Sequence, residues 1–292
     1  MRTMNVSCLK KEFQYCMHAC GFIHDLMFTN SRESLEYWYG QGIRLFEVDI
    51  DVACDGMYVA CHNFNKETFE KMELEEIPEQ CTGTWFRQQK LYPYATGGLT
   101  PLTLDDIFGL LQRYPDLLFM IDPKIYSYDG TCALLEKMRS ETGRAGIDGK
   151  RILFETYNGD MIRATEGYRE VFQYQYCVDD EMQMGSSEMI RSWEMERLVR
   201  FLKAHNIFIL SWPWKFAVES LEKLKRLKEE GFVIFSKTRN DILQDLLKRA
   251  GINVNIIDHL VTDAQKKELE HYRKTYFEAY EGRINRVFGA GK

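Results

Sequence analysis

The chain of 292 residues lacks several features that mark common protein classes. It contains no apolar run long enough to cross a membrane. It also has no basic run and no stripe of interleaved basic and aromatic residues, and its formal net charge is −6. Because nucleic-acid binding normally leaves a basic footprint, we expect neither a nucleic-acid partner nor a membrane span.

The N-terminal stretch MRTMNVSCLKKEFQYC lacks the apolar segment of a secretion signal. The eight cysteines are spread through predicted strands and helices, which does not suggest a disulfide framework. Single residues separate Cys16, His18 and Cys20, and this spacing does not match the usual zinc sites. These features predict buried thiols in a reducing compartment, and the cytoplasm is the expected location.

Strand-like and helix-like segments alternate along the whole chain without a break in composition. We count about eight such units, and alternation of this kind implies parallel strand pairing. The prediction is a single α/β domain over 1–292, folded as a (β/α)₈ TIM barrel. A doubly wound open sheet is the alternative, although the chain has no Gly-x-Gly-x-x-Gly turn for a dinucleotide.

Two segments depart from this alternation. The polar stretch after the second strand, about 64–101, predicts a small insertion with one short helix over one end of the fold. The highly charged segment at about 264–288 predicts a C-terminal helix. Such a helix serves either as a dimer element or as a cap on the barrel, so the oligomeric state stays open.

The chemistry centres on Phe46–His62, which reads FEVDIDVACDGMYVACH. Apolar residues alternate with Glu47, Asp49 and Asp51, so the three carboxylates share one face of a strand. Such carboxylates repel one another unless water or a cation compensates them. The Asp55-Gly56 turn then brings His62 back beside the strand. An acidic strand face in contact with solvent is the simpler interpretation, and the rest of the chain decides between the two.

A second strand ends in another carboxylate. The run LLFMID ends at Asp122, and Lys124 follows two residues later. In a barrel the carboxyl ends of the strands meet, which would bring Asp122 to Glu47 and Asp49. Three carboxylates suit Mg²⁺ or Ca²⁺, and flanking histidines would supply an acid and a base for phosphoryl transfer.

The segments MHACG and FTNSRESLEYWYGQGIRLFEVDIDVACDGMYVACH resemble the glycerophosphodiester phosphodiesterase family. This family belongs to the barrel superfamily that includes phosphatidylinositol-specific phospholipases C. The closest branch begins His-Ala-Gly-Gly and continues Tyr-Thr-Asn-Ser, which here read His18–Gly21 and Phe28–Ser31. The resemblance covers nearly the whole chain, and the block from His18 to His62 is its specific part.

The resemblance implies a role for each site residue. His18 and His62 would be the catalytic acid–base pair. The metal ligands for Mg²⁺ or Ca²⁺ would be Glu47, Asp49 and Asp122. Lys124 would contact the phosphate. A small-molecule phosphodiester is then the expected substrate, cleaved to an alcohol and either a phosphomonoester or a cyclic phosphate.

Three positions depart from the family pattern. Ala19 stands where members commonly have arginine, and Asn63 follows His62 where aspartate is usual. Asp122 replaces a ligand that is often glutamate.

The aromatic residue Trp214, just past a predicted strand, is expected to line the leaving-group pocket.

Two other functions remain open. A barrel with lost catalysis would act as a binding or regulatory protein, and Ala19 and Asn63 favour that alternative. A lyase of the phospholipase D toxin type would act on phospholipids through an exposed apolar loop. Trp85, Phe86 and Leu91–Tyr94 of the insertion are the residues that would form such a loop.

Overall fold

The computed structural model describes residues 9, 13–178, 194–212, 221–240, 244–260, 262–263, 267 and 281–288. Strands alternate with helices throughout, and nine strands form one sheet. They are β1 (Tyr15–Met17), β2 (Leu45–Val52), β3 (Tyr58–Val59), β4 (Leu118–Pro123), β5 (Ile152–Thr156), β6 (Gln173–Cys177), β7 (Ile209–Ser211), β8 (Val233–Asn240) and β9 (Val254–His259).

All strands except β3 are parallel and close into a barrel. Closure occurs at β1, because Met17 pairs with Phe46 of β2 and with Ile257 of β9. The short β3 forms an antiparallel hairpin with β2, in which Val52 pairs with Tyr58. The predicted TIM barrel is confirmed, and the open-sheet alternative is wrong.

The helices lie between the strands in sequence. They are α1 (Arg32–Gly40), α2 (Lys66–Lys71), α3 (Gly83–Arg87), α4 (Pro93–Thr96), α5 (Leu104–Arg113), α6 (Tyr128–Ala145), α7 (Gly159–Thr165), α8 (Met195–Ala204), α9 (Leu221–Glu229) and α10 (Gln244–Arg249). Several begin at residues whose side chains accept a backbone hydrogen bond, as Ser31, Thr103 and Asn158 do. Residues 281–288 are helical, whereas most of the rest of the predicted helix at 264–288 lies outside the described residues.

The insertion contains three short helices, α2 to α4, so the prediction of one helix is wrong. Asn65 and Thr82 cap the first two, and Pro93 begins the third. Phe86 and Leu91 are fully buried in an apolar cluster that the insertion forms with Ile23, Val59 and Cys61. The apolar loop expected for a toxin-like lyase is therefore largely packed inward, although Tyr94 is 73% exposed.

The alternation along each strand separates two apolar layers. Inward residues such as Leu45, Met120 and Phe235 pack together in the barrel interior. Outward residues of the same strands, such as Phe46 and Ile121, pack in the layer that includes helix side chains. On β2 this places Glu47 and Asp49 on the interior side, as the sequence pattern predicts.

β8 continues beyond the apolar residues Val233–Phe235 to Asn240. Lys237 pairs with Ile256 of β9, and the register then shifts between Lys237 and Arg239. The polar residues after Phe235 thus continue the strand because β9 supplies hydrogen-bond partners.

The seven cysteines that the structure describes are free thiols. No helix within the described ranges is long and apolar enough to cross a bilayer.

Candidate active site

A cavity of about 190 Å³ lies at the carboxyl ends of the strands. Active sites of TIM barrels form at this end, because each strand delivers its last inward side chain there. β2, β4, β5, β6, β7 and β8 each contribute a polar or sulfur-containing side chain, whereas β9 contributes Ile256. The turn after β1 contributes His18. The lining residues are His18, Glu47, Asp49, His62, Met120, Asp122, Lys124, Glu155, Tyr157, Cys177, Ser211, Lys237 and Ile256.

Glu47, Asp49 and Asp122 form a buried acidic cluster in this cavity. One carboxylate oxygen from each lies within 4.8 Å of the others. Glu47 Oε1 and Asp122 Oδ1 are buried without a hydrogen-bond partner. Three oxygen donors with free lone pairs fit a hard divalent cation such as Mg²⁺ or Ca²⁺, which takes oxygen ligands. The shorter Asp122 therefore reaches the same group of ligand atoms as Glu47.

Lys124 lies against this cluster and compensates part of its charge. Its Nζ is 2.7 Å from Asp49 Oδ1 and 2.7 Å from Asp122 Oδ2, and its side chain is 5% exposed. Burial opposes the charged form of Asp49, but the Lys124 ammonium holds the pKa of Asp49 well below its usual range. Burial and the neighbouring Asp49 and Asp122 raise the pKa of Glu47.

Backbone and amide groups fix two of these carboxylates. Asn30 Nδ2 donates to Asp49 Oδ2 at 2.8 Å, and the Asp49 amide donates to Asn30 Oδ1 at 3.1 Å. The backbone amide of Ala19 donates to Glu47 Oε2. Asn30 is fully buried and does not line the cavity. It therefore orients Asp49 from behind, without contacting a ligand in the cavity.

His18 follows β1 in a turn that the backbone makes with unusual dihedrals. Ala19, Cys20 and Gly21 all have positive φ. A side chain at Gly21 would collide with the Cδ1 atom of Trp38. Glycine is therefore required there, and the turn holds His18 and the Ala19 amide in place.

The ring of His18 is held by a carboxylate from the last strand. Asp258 Oδ1 lies 2.7 Å from His18 Nδ1, and Nε2 lies 3.9 Å from Glu47 Oε2. Burial lowers the pKa of His18, and the positive charge of Lys237 lowers it further. The hydrogen bond to Asp258 acts in the opposite direction and raises it. Phe28 packs edge-on against the imidazole at 4.8 Å between ring centroids.

His62 follows the β2–β3 hairpin and lines the cavity at its rim. It is exposed, and its ring makes no hydrogen bond to any residue in the described part of the chain. Its charge nevertheless acts on Asp49. The two histidines thus differ: one is buried and oriented, and the other is open to solvent.

Glu155 occupies the strand end beside Asp122. It accepts hydrogen bonds from the Tyr157 hydroxyl and from Gln175 Nε2, each at 2.8 Å. Burial and the nearby Asp122 raise the pKa of Glu155 to about 7. This carboxyl group therefore changes charge near neutral pH in the absence of a cation.

The structure brings together six of the predicted site residues: His18, Glu47, Asp49, His62, Asp122 and Lys124. Trp214 lies outside the described residues. Trp212 is fully buried in the outer layer and does not line the cavity.

Sequence reasoning missed Asn30, Asp258 and Lys237. Asn30 belongs to the Thr-Asn-Ser segment, whose polar residues predict only a helix cap, and Ser31 is the residue that caps α1. Asp258 lies near the end of β9, directly after the apolar pair Ile256-Ile257. A carboxylate at the end of an apolar run is the signal that identified Asp122.

Known structures share this fold. A glycerophosphodiester phosphodiesterase from Parabacteroides distasonis has a TM-score of 0.64 at 13% identity, covering 90% of this chain and 98% of that one. The Thermotoga maritima glycerophosphodiester phosphodiesterase has a TM-score of 0.59 at 20% identity, covering 85% and 95%. An Oleispira antarctica phosphodiesterase, solved with the product sn-glycerol 3-phosphate, has a TM-score of 0.63 at 16% identity, covering 84% and 92%.

At these identities the likeness establishes the fold of the chain, which is the barrel of these phosphodiesterases. No family model and no curated protein sequence matches the chain.

Proposed function

We propose that the chain is a cation-dependent phosphodiesterase that cleaves a glycerophosphodiester-like substrate into an alcohol and a phosphomonoester or cyclic phosphate. The observation that carries this proposal is the meeting of His18 and His62 with a buried cluster of three carboxylates in one cavity. The shared fold with glycerophosphodiester phosphodiesterases supports the substrate class.

Glu47, Asp49 and Asp122 would hold Mg²⁺ or Ca²⁺. A bound cation neutralises charge that develops on the non-bridging oxygens of the phosphate. Asn30 and the Ala19 amide keep the carboxylates in place, so the protein need not reorganise them during the reaction.

The two histidines would divide the proton transfers between them. Asp258 fixes Nδ1 of His18, which leaves Nε2 available to accept a proton from the attacking hydroxyl or water. His62 would then donate a proton to the leaving alkoxide. Its exposed position at the rim suits contact with a leaving group that departs into solvent.

The test is hydrolysis of bis-p-nitrophenyl phosphate and glycerophosphocholine with Mg²⁺, with Ca²⁺ and with EDTA. We expect cation-dependent turnover that falls by at least about 100-fold in His18→Ala and in His62→Ala. His205→Ala is the matched control, because His205 lies against Phe201 and Glu166 and outside the cavity.

Phosphorus NMR of the product separates hydrolysis from formation of a cyclic phosphate. Turnover that is indifferent to EDTA and to His18 would refute the mechanism. Cation binding without turnover of any diester would favour the binding-protein alternative.

A further inference from the structure

Lys237 is a second lysine that lines the cavity. It belongs to β8, which lies across the barrel from the strands that carry the acidic cluster. On β8, Val233 and Phe235 both pack in the barrel interior. Because side chains alternate along a strand, Lys237 continues this inward row, and it lines the cavity as expected.

The two lysines differ in what their ammonium groups contact. Lys124 Nζ lies 2.7 Å from both Asp49 and Asp122, so its charge is already compensated within the protein. Lys237 makes no ion pair or hydrogen bond through its ammonium to a residue in the described part of the chain. An unpaired, half-buried ammonium beside an open cavity is available to an anionic ligand.

The neighbouring carboxylate does not neutralise Lys237 either. Asp258 uses Oδ1 to hold His18, and no ion pair joins it to Lys237 among the described residues. Lys237 pairs with Ile256 of β9, and β9 is the strand between β8 and β1, so Lys237 lies on the His18 side of the cavity. In agreement with this, the charge of Lys237 lowers the pKa of His18.

We propose that Lys237 is the substrate-binding cation of this site and that its ammonium contacts a non-bridging oxygen of the phosphoryl group. This inference rests on the proposed phosphodiesterase function. A lysine ammonium is a compact point charge that binds phosphate without a fixed fork geometry. Lys124, in contrast, holds the acidic cluster together.

This arrangement places positive charge on two sides of the phosphate. The acidic cluster, which would hold the cation, lies on the β2 and β4 side, and Lys237 lies on the β8 side next to His18. An anion held between them would present its phosphorus near both His18 and the cluster. Correct positioning of the phosphoryl group supplies a large part of the rate acceleration in phosphoryl transfer.

The test is calorimetric binding of inorganic phosphate and of sn-glycerol 3-phosphate in saturating Mg²⁺ or Ca²⁺. Lys237→Met keeps the length of the side chain and removes its charge. We expect phosphate affinity to fall about tenfold, as for loss of a charged hydrogen bond, and Lys237→Arg to recover most of it. Lys66→Met is the matched control, because Lys66 is 72% exposed on the insertion and outside the cavity.

A separate titration with the divalent cation alone should give the same affinity for wild type and Lys237→Met. Phosphate binding that is unchanged in Lys237→Met would overturn the inference. So would the absence of phosphate binding by wild type, or a loss that accompanies weaker cation binding.

Diester hydrolysis by wild type distinguishes this failure from failure of the proposed function. If wild type turns over a diester but Lys237→Met leaves the phosphate affinity unchanged, only the role of Lys237 is refuted. Lys237-dependent phosphate binding without any diester turnover refutes the enzyme function and keeps the anion site.

Discussion

Asp258 Oδ1 lies 2.7 Å from His18 Nδ1, although the two residues are 240 positions apart in the chain. Both are buried, and the contact joins the end of the last strand to the turn after the first. A carboxylate on Nδ1 fixes the imidazole tautomer and leaves Nε2 for the reaction.

Asp258→Asn should lower kcat for a diester by about 100-fold or more, because an amide at this position permits the wrong tautomer of His18. The KM should change less, since the cavity wall stays in place. Steady-state kinetics measure both values. The exposed Asp160→Asn, on the outer helix α7, serves as the control, and equal losses in both variants would contradict the positioning role.

Asn30→Ala should weaken divalent-cation binding by about 10- to 100-fold, because Asp49 loses the amide that orients it. Calorimetric titration with Mg²⁺ and Ca²⁺ measures the change. Asn65→Ala removes a helix cap in the insertion and should leave cation affinity intact. An unchanged affinity in Asn30→Ala would mean that Asp49 needs no such support.

Lys124→Met should destabilise the cation-free protein by about 3–5 kcal/mol, because it removes the positive charge that compensates two buried carboxylates. Saturating Mg²⁺ or Ca²⁺ should restore part of that loss. Urea unfolding in EDTA and in the cation gives both numbers. Lys71→Met breaks an exposed pair with Glu67 and should change the free energy of unfolding far less, because water screens this pair.

The stability effect of Glu155→Gln should depend on pH in EDTA. Burial, together with Asp122, raises the pKa of Glu155 to about 7, above the ordinary value of 4.5. A raised carboxyl pKa stabilises the fold fully below pH 4.5, and this contribution is lost as pH rises through 7.

Relative to wild type, Glu155→Gln should therefore gain on the order of 3 kcal/mol between pH 4.5 and pH 8. Unfolding curves across this range test the sign. Glu136→Gln, at an exposed pair with Arg139, should show no comparable rise. A difference in the free energy of unfolding between Glu155→Gln and wild type that does not change with pH would contradict the raised pKa of Glu155.

The alternation of strands and helices predicted the barrel, because parallel pairing follows from that order of elements. The acidic face of β2 and the apolar run before Asp122 predicted a carboxylate cluster for the same reason: strand ends meet in a barrel. These are properties of local pattern, and local pattern is visible in a sequence.

Contacts that depend on register and on side-chain direction were not predictable. The pattern did not show that Lys124 would turn toward Asp49 rather than toward the centre of the cavity. Nor did it show that β8 would continue past Phe235, because the partner that extends it is β9. The positioning role of Asn30 was hidden since Asn also caps helices.

The place of β1 between β9 and β2 has a consequence for biosynthesis. A nascent chain that stops before residue 254 already carries His18, His62 and the three carboxylates of the acidic cluster. It lacks β9, which flanks β1, and the Asp258 carboxylate that orients His18. Contacts so distant in sequence form late, after the loop-closure entropy has been overcome. The surroundings of His18 should therefore be complete only after the C-terminal part has left the ribosome, and any activity that depends on His18 would report completed folding.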